Sequence, residues 1–122
     1  MRYIASCSFG KDSLAMVLRL IAEGRPLDEV VFYDTGMEFG AIYRNLEKMK
    51  SILATRNIKM VVLKPTVDFM YKAFDMPVKN RDGSGYHFGY SWCGGCCRWG
   101  TTDKLRIVDK YCESEPTMVY IG

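Results

Sequence analysis

The sequence predicts an α/β protein built on a parallel sheet, and three observations carry that expectation. Short apolar runs, Tyr3-Ile4-Ala5-Ser6, Glu29-Val30-Val31-Phe32-Tyr33 and Ile58-Lys59-Met60-Val61-Val62-Leu63, alternate with longer segments whose apolar residues recur at helical spacing. A last apolar run, Thr117-Met118-Val119-Tyr120-Ile121, follows a fourth helical segment. Strands separated by helices need right-handed crossovers, and ligands then lie outside the carboxyl ends of the strands.

The first strand runs into Ser8-Phe9-Gly10-Lys11-Asp12-Ser13, and Leu14, Val17, Leu18 and Ile21 then keep helical spacing. A small-residue loop opening a helix gathers free backbone N–H groups and the positive end of the helix dipole, which makes an anion site. Gly10 lets the backbone approach an anion, Lys11 adds charge, and the Ser8 and Ser13 hydroxyls can donate hydrogen bonds. The spacing is not G-x-x-x-x-G-K-[ST], which excludes the Walker type of phosphate loop. The alternative is an ordinary strand–turn–helix junction capped by Asp12 or Ser13.

Gly24-Arg25-Pro26 stops the first helix. The second strand ends in Asp34-Thr35-Gly36, and Phe39, Ile42, Tyr43, Leu46, Met49 and Leu53 predict a long second helix with Glu38 in its first turn. Asp34 can hold Mg²⁺ or a ribose hydroxyl, and Gly36 permits a tight turn; a turn with a capping carboxylate is the competing explanation. After the third strand, Pro65 is a stop, Thr66 can cap a short helix through Phe69, Met70, Ala73 and Phe74, and Pro77 ends it.

Regular patterning fails over residues 78–100, which contain Asp82-Gly83-Ser84-Gly85, a turn or hairpin signal. A long irregular stretch inside one domain is usually functional. It holds Trp92-Cys93-Gly94-Gly95-Cys96-Cys97-Arg98-Trp99, where Cys93 and Cys96 form C-x-x-C. That spacing suits Zn²⁺, an iron–sulfur cluster or a redox disulfide. Cys93, Cys96 and Cys97, completed by Cys7 or His87, form a candidate metal set; a metal-free reactive group and small-residue packing are the alternatives. Thr101 or Thr102 can cap a fourth helix with Asp103 in its first turn and Leu105, Val108 and Cys112 on one face. At about 1.5 Å per residue, that helix carries Cys112 roughly 15 Å from the other cysteines, so Cys112 is expected in the core. Arg98, Thr101 and Lys104 stand at its start, where they can grip an anion.

The 122 residues are expected to form one domain, with 48% hydrophobic and 25% charged residues, as in soluble globular proteins. A net charge of +3 suits an anionic small ligand and does not indicate nucleic acid. No apolar run reaches the ~20 residues of a membrane span. Five cysteines, three of them crowded together, do not form a secreted disulfide framework, so a cytoplasmic location is expected.

The loop of residues 8–13 resembles the Ser-Gly-Gly-Lys-Asp-Ser loop of the PP-loop ATP pyrophosphatases, or adenine nucleotide alpha hydrolases. Asp34-Thr35-Gly36-Met37-Glu38-Phe39 resembles the Asp-Thr-Gly-x-Glu-Phe segment of the PAPS (3′-phosphoadenylyl sulfate) reductase-like family within that superfamily. Phe9 replaces a glycine; it cannot take positive φ cheaply, and its ring is expected over the site. The resemblance implies a Rossmann-like three-layer α/β/α fold with strand order 3-2-1-4, the last strand beside the first. It implies that residues 8–13, Asp34, Thr35, Gly36, Arg98 and Lys104 bind ATP or adenylyl sulfate with Mg²⁺. Lys11 and Asp34 would serve cleavage of ATP between its α- and β-phosphates, adenylating a substrate and leaving pyrophosphate. In the alternative sulfonucleotide chemistry, Cys93 or Cys96 would supply the thiolate. A third reading is a nucleotide-binding module of a larger assembly that does no chemistry itself. Cys96-Cys97 is similar to the paired cysteines that hold an iron–sulfur cluster in some reductases of the family. Relatives continue past a fourth strand, so the chain is expected to be either a fragment or a minimal version. Its strand 117–121 would then be an edge open to a second copy or a partner chain.

Overall fold

The computed structural model describes residues 1–90 and 101–122. Four parallel strands make the central sheet: β1 (Arg2–Ser6), β2 (Glu29–Tyr33), β3 (Lys59–Leu63) and β6 (Thr117–Ile121), in the order β3-β2-β1-β6. The last strand lies beside the first, as the resemblance implied. Registers run Glu29 opposite Lys59 to Tyr33 opposite Leu63, and Arg2 opposite Thr117 to Ser6 opposite Ile121.

Helices α1 (Lys11–Ala22) and α2 (Gly40–Thr55) connect β1 to β2 and β2 to β3, whereas α3 (Asp103–Cys112) leads back to β6. Because parallel crossovers are right-handed and the return runs the other way across the sheet, α1 and α2 cover one face and α3 the other. Alternation of side chains along a strand decides the two cores. Ala5, Cys7, Val30 and Phe32 meet Val17 of α1 and Leu46, Met49 and Leu53 of α2. Ile4, Val31 and Tyr33, the alternate residues, are equally buried and face α3. Each fully buried aliphatic or aromatic side chain contributes ~1.5–3 kcal/mol relative to exposure.

Several sequence expectations shift in detail. Leu18, Phe39 and Leu105, placed on apolar faces by periodicity, are exposed, Phe39 by 84%. Helix α2 starts at Gly40, so Glu38 precedes it and instead accepts a bond from the Thr35 hydroxyl at 3.1 Å. Beyond β3, the carboxylate of Asp68 caps Met70 and Tyr71 N–H at 3.0 and 3.3 Å, displacing Thr66 from that role. The short helix it opens includes one π-helical turn, Tyr71–Asp75. Pro77 does not merely end that helix. It begins β4 (Pro77–Lys79), which pairs antiparallel with β5 (Tyr86–Phe88) through a turn at Asp82-Gly83-Ser84-Gly85. Pro is tolerated there because it is the first residue of an edge strand. His87 therefore sits on β5, its Nδ1 2.6 Å from Asn80 Oδ1.

Gly89 follows with φ +77°, and a Cβ there would collide with the Ala73 carbonyl. Neither Thr101 nor Thr102 caps α3 with its side chain: Thr102 stands at the cap position in helical conformation. Asp103 turns inward to an ion pair with Lys72 at 2.5 Å. Cys112, expected in the core, is only half-buried, because α3 leaves a groove of about 240 Å³ along β6, lined in part by Leu105, Val108, Cys112, Val119 and Ile121. Strand β6 pairs on one side only among the described residues, and Met118 and Ile121 are exposed. No helix of the described residues is long and apolar enough to cross a membrane.

Candidate functional site

The carboxyl ends of β1 and β2 lie side by side, and the two sequence motifs emerge there. Cys7 N–H still bonds to Val31 O at 2.9 Å; the chain then turns through Ser8, Phe9 and Gly10 into α1. Phe9 takes the turn with φ +59°. A left-handed conformation costs a non-glycine residue ~1–2 kcal/mol. Two contacts offset this. The Phe9 ring is completely buried and meets Phe32 edge to face at 5.3 Å, a geometry worth ~0.5–1.5 kcal/mol beyond burial. Asn45 of α2 donates from Nδ2 to Phe9 O at 3.0 Å. The ring thus lies in the core and does not cover the site as expected.

Ser13 closes the loop from inside. Its Oγ, almost fully buried, accepts Ser8 N–H at 3.2 Å and the Cys7 thiol at 3.6 Å. It also lies 3.1 Å from Ser8 Oγ and 3.4 Å from Gly10 O. These partners use the hydroxyl's capacity of one donor and two lone pairs. Ser13 therefore shapes the loop and its hydroxyl does not face a ligand, while Ser8 is exposed. No side chain caps α1, whose N-cap is Gly10, and its first N–H groups stand at the edge of the sheet. Lys11 and Asp12 are exposed beside them. Uncapped amides and the helix dipole at a lysine are what an anion requires.

Next to this loop, Asp34 Oδ1 accepts Gly36 N–H and the Tyr43 hydroxyl, both at 2.8 Å. Thr35 Oγ1 accepts Met37 N–H at 3.2 Å. Gly36 has φ +83°, which explains the glycine. Burial, and then the bond to Asp34, push the Tyr43 hydroxyl above its ordinary pKa, so it remains a donor. Asp34, Thr35 and Gly36 border a cleft of about 330 Å³ completed by Lys64, Pro65, Asp68 and Phe69. A larger cleft, about 580 Å³, runs beside α1 past Met16, Leu20 and Tyr120. It follows the open β6 side, away from the Asp34 segment. Sequence reasoning missed Tyr43, Asn45, Lys64 and Asp68. For Tyr43 and Asn45 a signal existed: both are polar-tipped residues beside the buried stripe Leu46-Met49-Leu53 of α2.

Cys7 lies under the loop and not beside it. Burial pushes its thiol up, and the bonds to Ser13 and Phe9 and the charge of Lys104 only partly counter this. It is a protonated donor at neutral pH. Lys104 stands in the first turn of α3 near the ends of β1 and β6, bordering a groove with Ser6 and Ile121. Cys93, Cys96, Cys97 and Arg98 lie outside the described residues. Among the described residues no group of three or more His, Cys, Asp and Glu could hold a metal ion.

Known proteins carry the same pattern. The phosphoadenosine phosphosulfate reductase domain family matches residues 2–111. An adenosine 5′-phosphosulfate reductase of Geobacillus sp. is 31% identical over 70 residues, which are 57% of this chain and 28% of that protein. An uncharacterized protein of Methanocaldococcus jannaschii is 35% identical over 107 residues, 87% of this chain and 18% of that protein. The chain thus spans only 28% and 18% of these two relatives. No solved structure matches it. Since the family match takes in β1 and its loop, the Asp34 segment and nearly all of α3, this chain belongs to the phosphoadenosine phosphosulfate reductase domain family, within the PP-loop superfamily.

Proposed function

We propose that this domain binds an adenine nucleotide with an anionic 5′ tail, adenylyl sulfate or its 3′-phosphorylated form first and ATP second. The observation that carries this reading is the uncapped start of α1 beside Lys11, at the carboxyl edge of a parallel sheet. The tail would sit on the amides of Gly10, Lys11 and Asp12, with the Ser8 hydroxyl and the Lys11 ammonium around it. Asp34, Thr35 and Gly36 would meet the ribose, or Mg²⁺ through the second oxygen of Asp34. Lys104, with Arg98, would hold the tail from the α3 side.

Membership of this family favours sulfonucleotide chemistry. A thiolate of Cys93 or Cys96 would attack the sulfate sulfur, breaking its bond to the phosphate oxygen and releasing AMP, or adenosine 3′,5′-bisphosphate from the 3′-phosphorylated form, with the sulfonate left on the cysteine. Cys7, a buried protonated thiol, is not that nucleophile. The Gly10-Lys11-Asp12-Ser13 loop followed by Asp34 supports the ATP reading, in which Lys11 and Mg²⁺ neutralise a leaving pyrophosphate. A Zn²⁺ ion or iron–sulfur cluster would be held by Cys93, Cys96 and Cys97. As a fourth ligand Cys7 does not fit, because its thiol is buried beneath the loop against Ser13. His87 fits better, being exposed, with its Nδ1 bound to Asn80. Free thiols suit a reducing cytoplasm. The open edge of β6, with Met118 and Ile121 exposed, suits a second copy or a partner chain.

Incubation with each nucleotide, followed by product identification, tests the chemistry. AMP with a sulfur-modified cysteine supports sulfonucleotide cleavage. AMP with pyrophosphate supports ATP cleavage. Binding without products supports a module that captures nucleotide for an assembly.

A further inference from the structure

We propose that Asn45 and Phe9 are positioning residues that fix the orientation of the Phe9–Gly10 peptide, so that its N–H and not its carbonyl meets the anion. This rests on the reading that the loop holds the nucleotide's anionic tail. The argument begins with peptide geometry. No peptide in the described residues is cis, and in a planar trans peptide the C=O and the following N–H point in opposite directions. Asn45 Nδ2 holds Phe9 O at 3.0 Å across 36 residues of sequence. Tying that oxygen toward α2 therefore directs Gly10 N–H to the opposite side.

The other end of the peptide is anchored by the ring. Phe9 is 0% exposed and rests on Phe32, so φ +59° cannot relax without pulling the ring from the core. The preceding amide is settled as well, because Ser8 N–H turns inward to Ser13 Oγ. Without Asn45 the peptide is free to flip, and a flipped peptide would present a carbonyl oxygen to an anion. A glycine at position 9 would reach the same conformation but would visit others, so binding would have to order it. Phe9 thus exchanges conformational freedom for a preformed loop, and Asn45 selects which way that loop faces.

Calorimetry with two probes separates positioning from general support of the fold. Inorganic pyrophosphate reports the tail site alone; adenosine lacks a tail and reports the rest of the pocket. Asn45→Leu is expected to raise the pyrophosphate Kd about tenfold, as for loss of one preorganised donor, and to leave the adenosine Kd within about twofold. Equal weakening of both probes, or no weakening of either, overturns the proposal while the nucleotide reading stands. Should Asn45→Leu not fold, Phe9→Gly carries the test. It is expected to weaken pyrophosphate through a less favourable binding entropy at similar enthalpy, and unchanged affinity overturns the proposal. Failure of the unsubstituted protein to bind pyrophosphate or adenosine overturns both the proposal and the reading beneath it.

Discussion

Ser13 shows how one hydroxyl can decide the shape of a loop from inside it. Ser13→Ala leaves the part-buried Ser8 N–H without its partner, and loss of one such bond costs ~0.5–1.5 kcal/mol. Urea unfolding is expected to show a loss of that size, with the midpoint shifted and the slope unchanged. The motif of residues 8–13 and the Asp34 turn were legible because each is a contiguous run whose chemistry follows from residue type. The direction of the Phe9 ring was not, since it depends on Phe32 and Asn45, which reach the loop from other elements. The same holds for Cys7. Its place at the end of β1 was readable, but its burial beneath the loop, which raises the thiol's pKa, is a property of packing.

At the scale of elements, the strands of the parallel sheet were legible because each is a short apolar run bounded by a turn residue, and the hairpin only through its turn signal Asp82-Gly83-Ser84-Gly85, since its two three-residue strands are too short to show a pattern. What joins the hairpin region to α3 was not. Asp103 reads as an ordinary first-turn acid, yet only 11% of its side chain is exposed, and it pairs with Lys72, exposed by 12%. Removing Lys72 leaves the buried Asp103 carboxylate only the exposed Arg106 guanidinium at 3.6 Å, so Lys72→Met is expected to cost up to about 3–5 kcal/mol. The double change Lys72→Met with Asp103→Leu is expected to recover most of that loss, and chemical denaturation of the two variants beside the unsubstituted protein measures it. Gly89 makes a second element-scale test. Gly89→Ala combines a positive φ with a collision against Ala73, and is expected to destabilise by at least about 2 kcal/mol. A thermal melt within 1–2 °C of the unsubstituted protein would contradict that close approach.

For the molecule as a whole, alkaline pH probes the buried hydroxyls and thiols together. Tyr111 donates to Glu29 at 2.7 Å, and burial first, then that bond, push it up to about 12. Tyr33, whose hydroxyl has no partner among the described residues, is likewise raised, mainly by burial. Cys7 and Cys112 shift the same way for the same main cause. These groups lose their protons at lower pH in the unfolded chain than in the folded one. Their protonation therefore costs no stability below about pH 8.5, and stability falls as pH rises from there through about 12. Unfolding free energies measured from pH 7 to 11 are expected to decline over the upper half of that range. The central claim is that the loop after β1 receives the anionic tail of an adenine nucleotide. Titration of adenylyl sulfate into the protein and into Lys11→Ala, by calorimetry at low salt, tests it most directly. The account predicts saturable one-to-one binding that weakens at least about tenfold in the variant, as for loss of one charge-assisted contact. Equal affinity of the two proteins, or no binding by either, would contradict it.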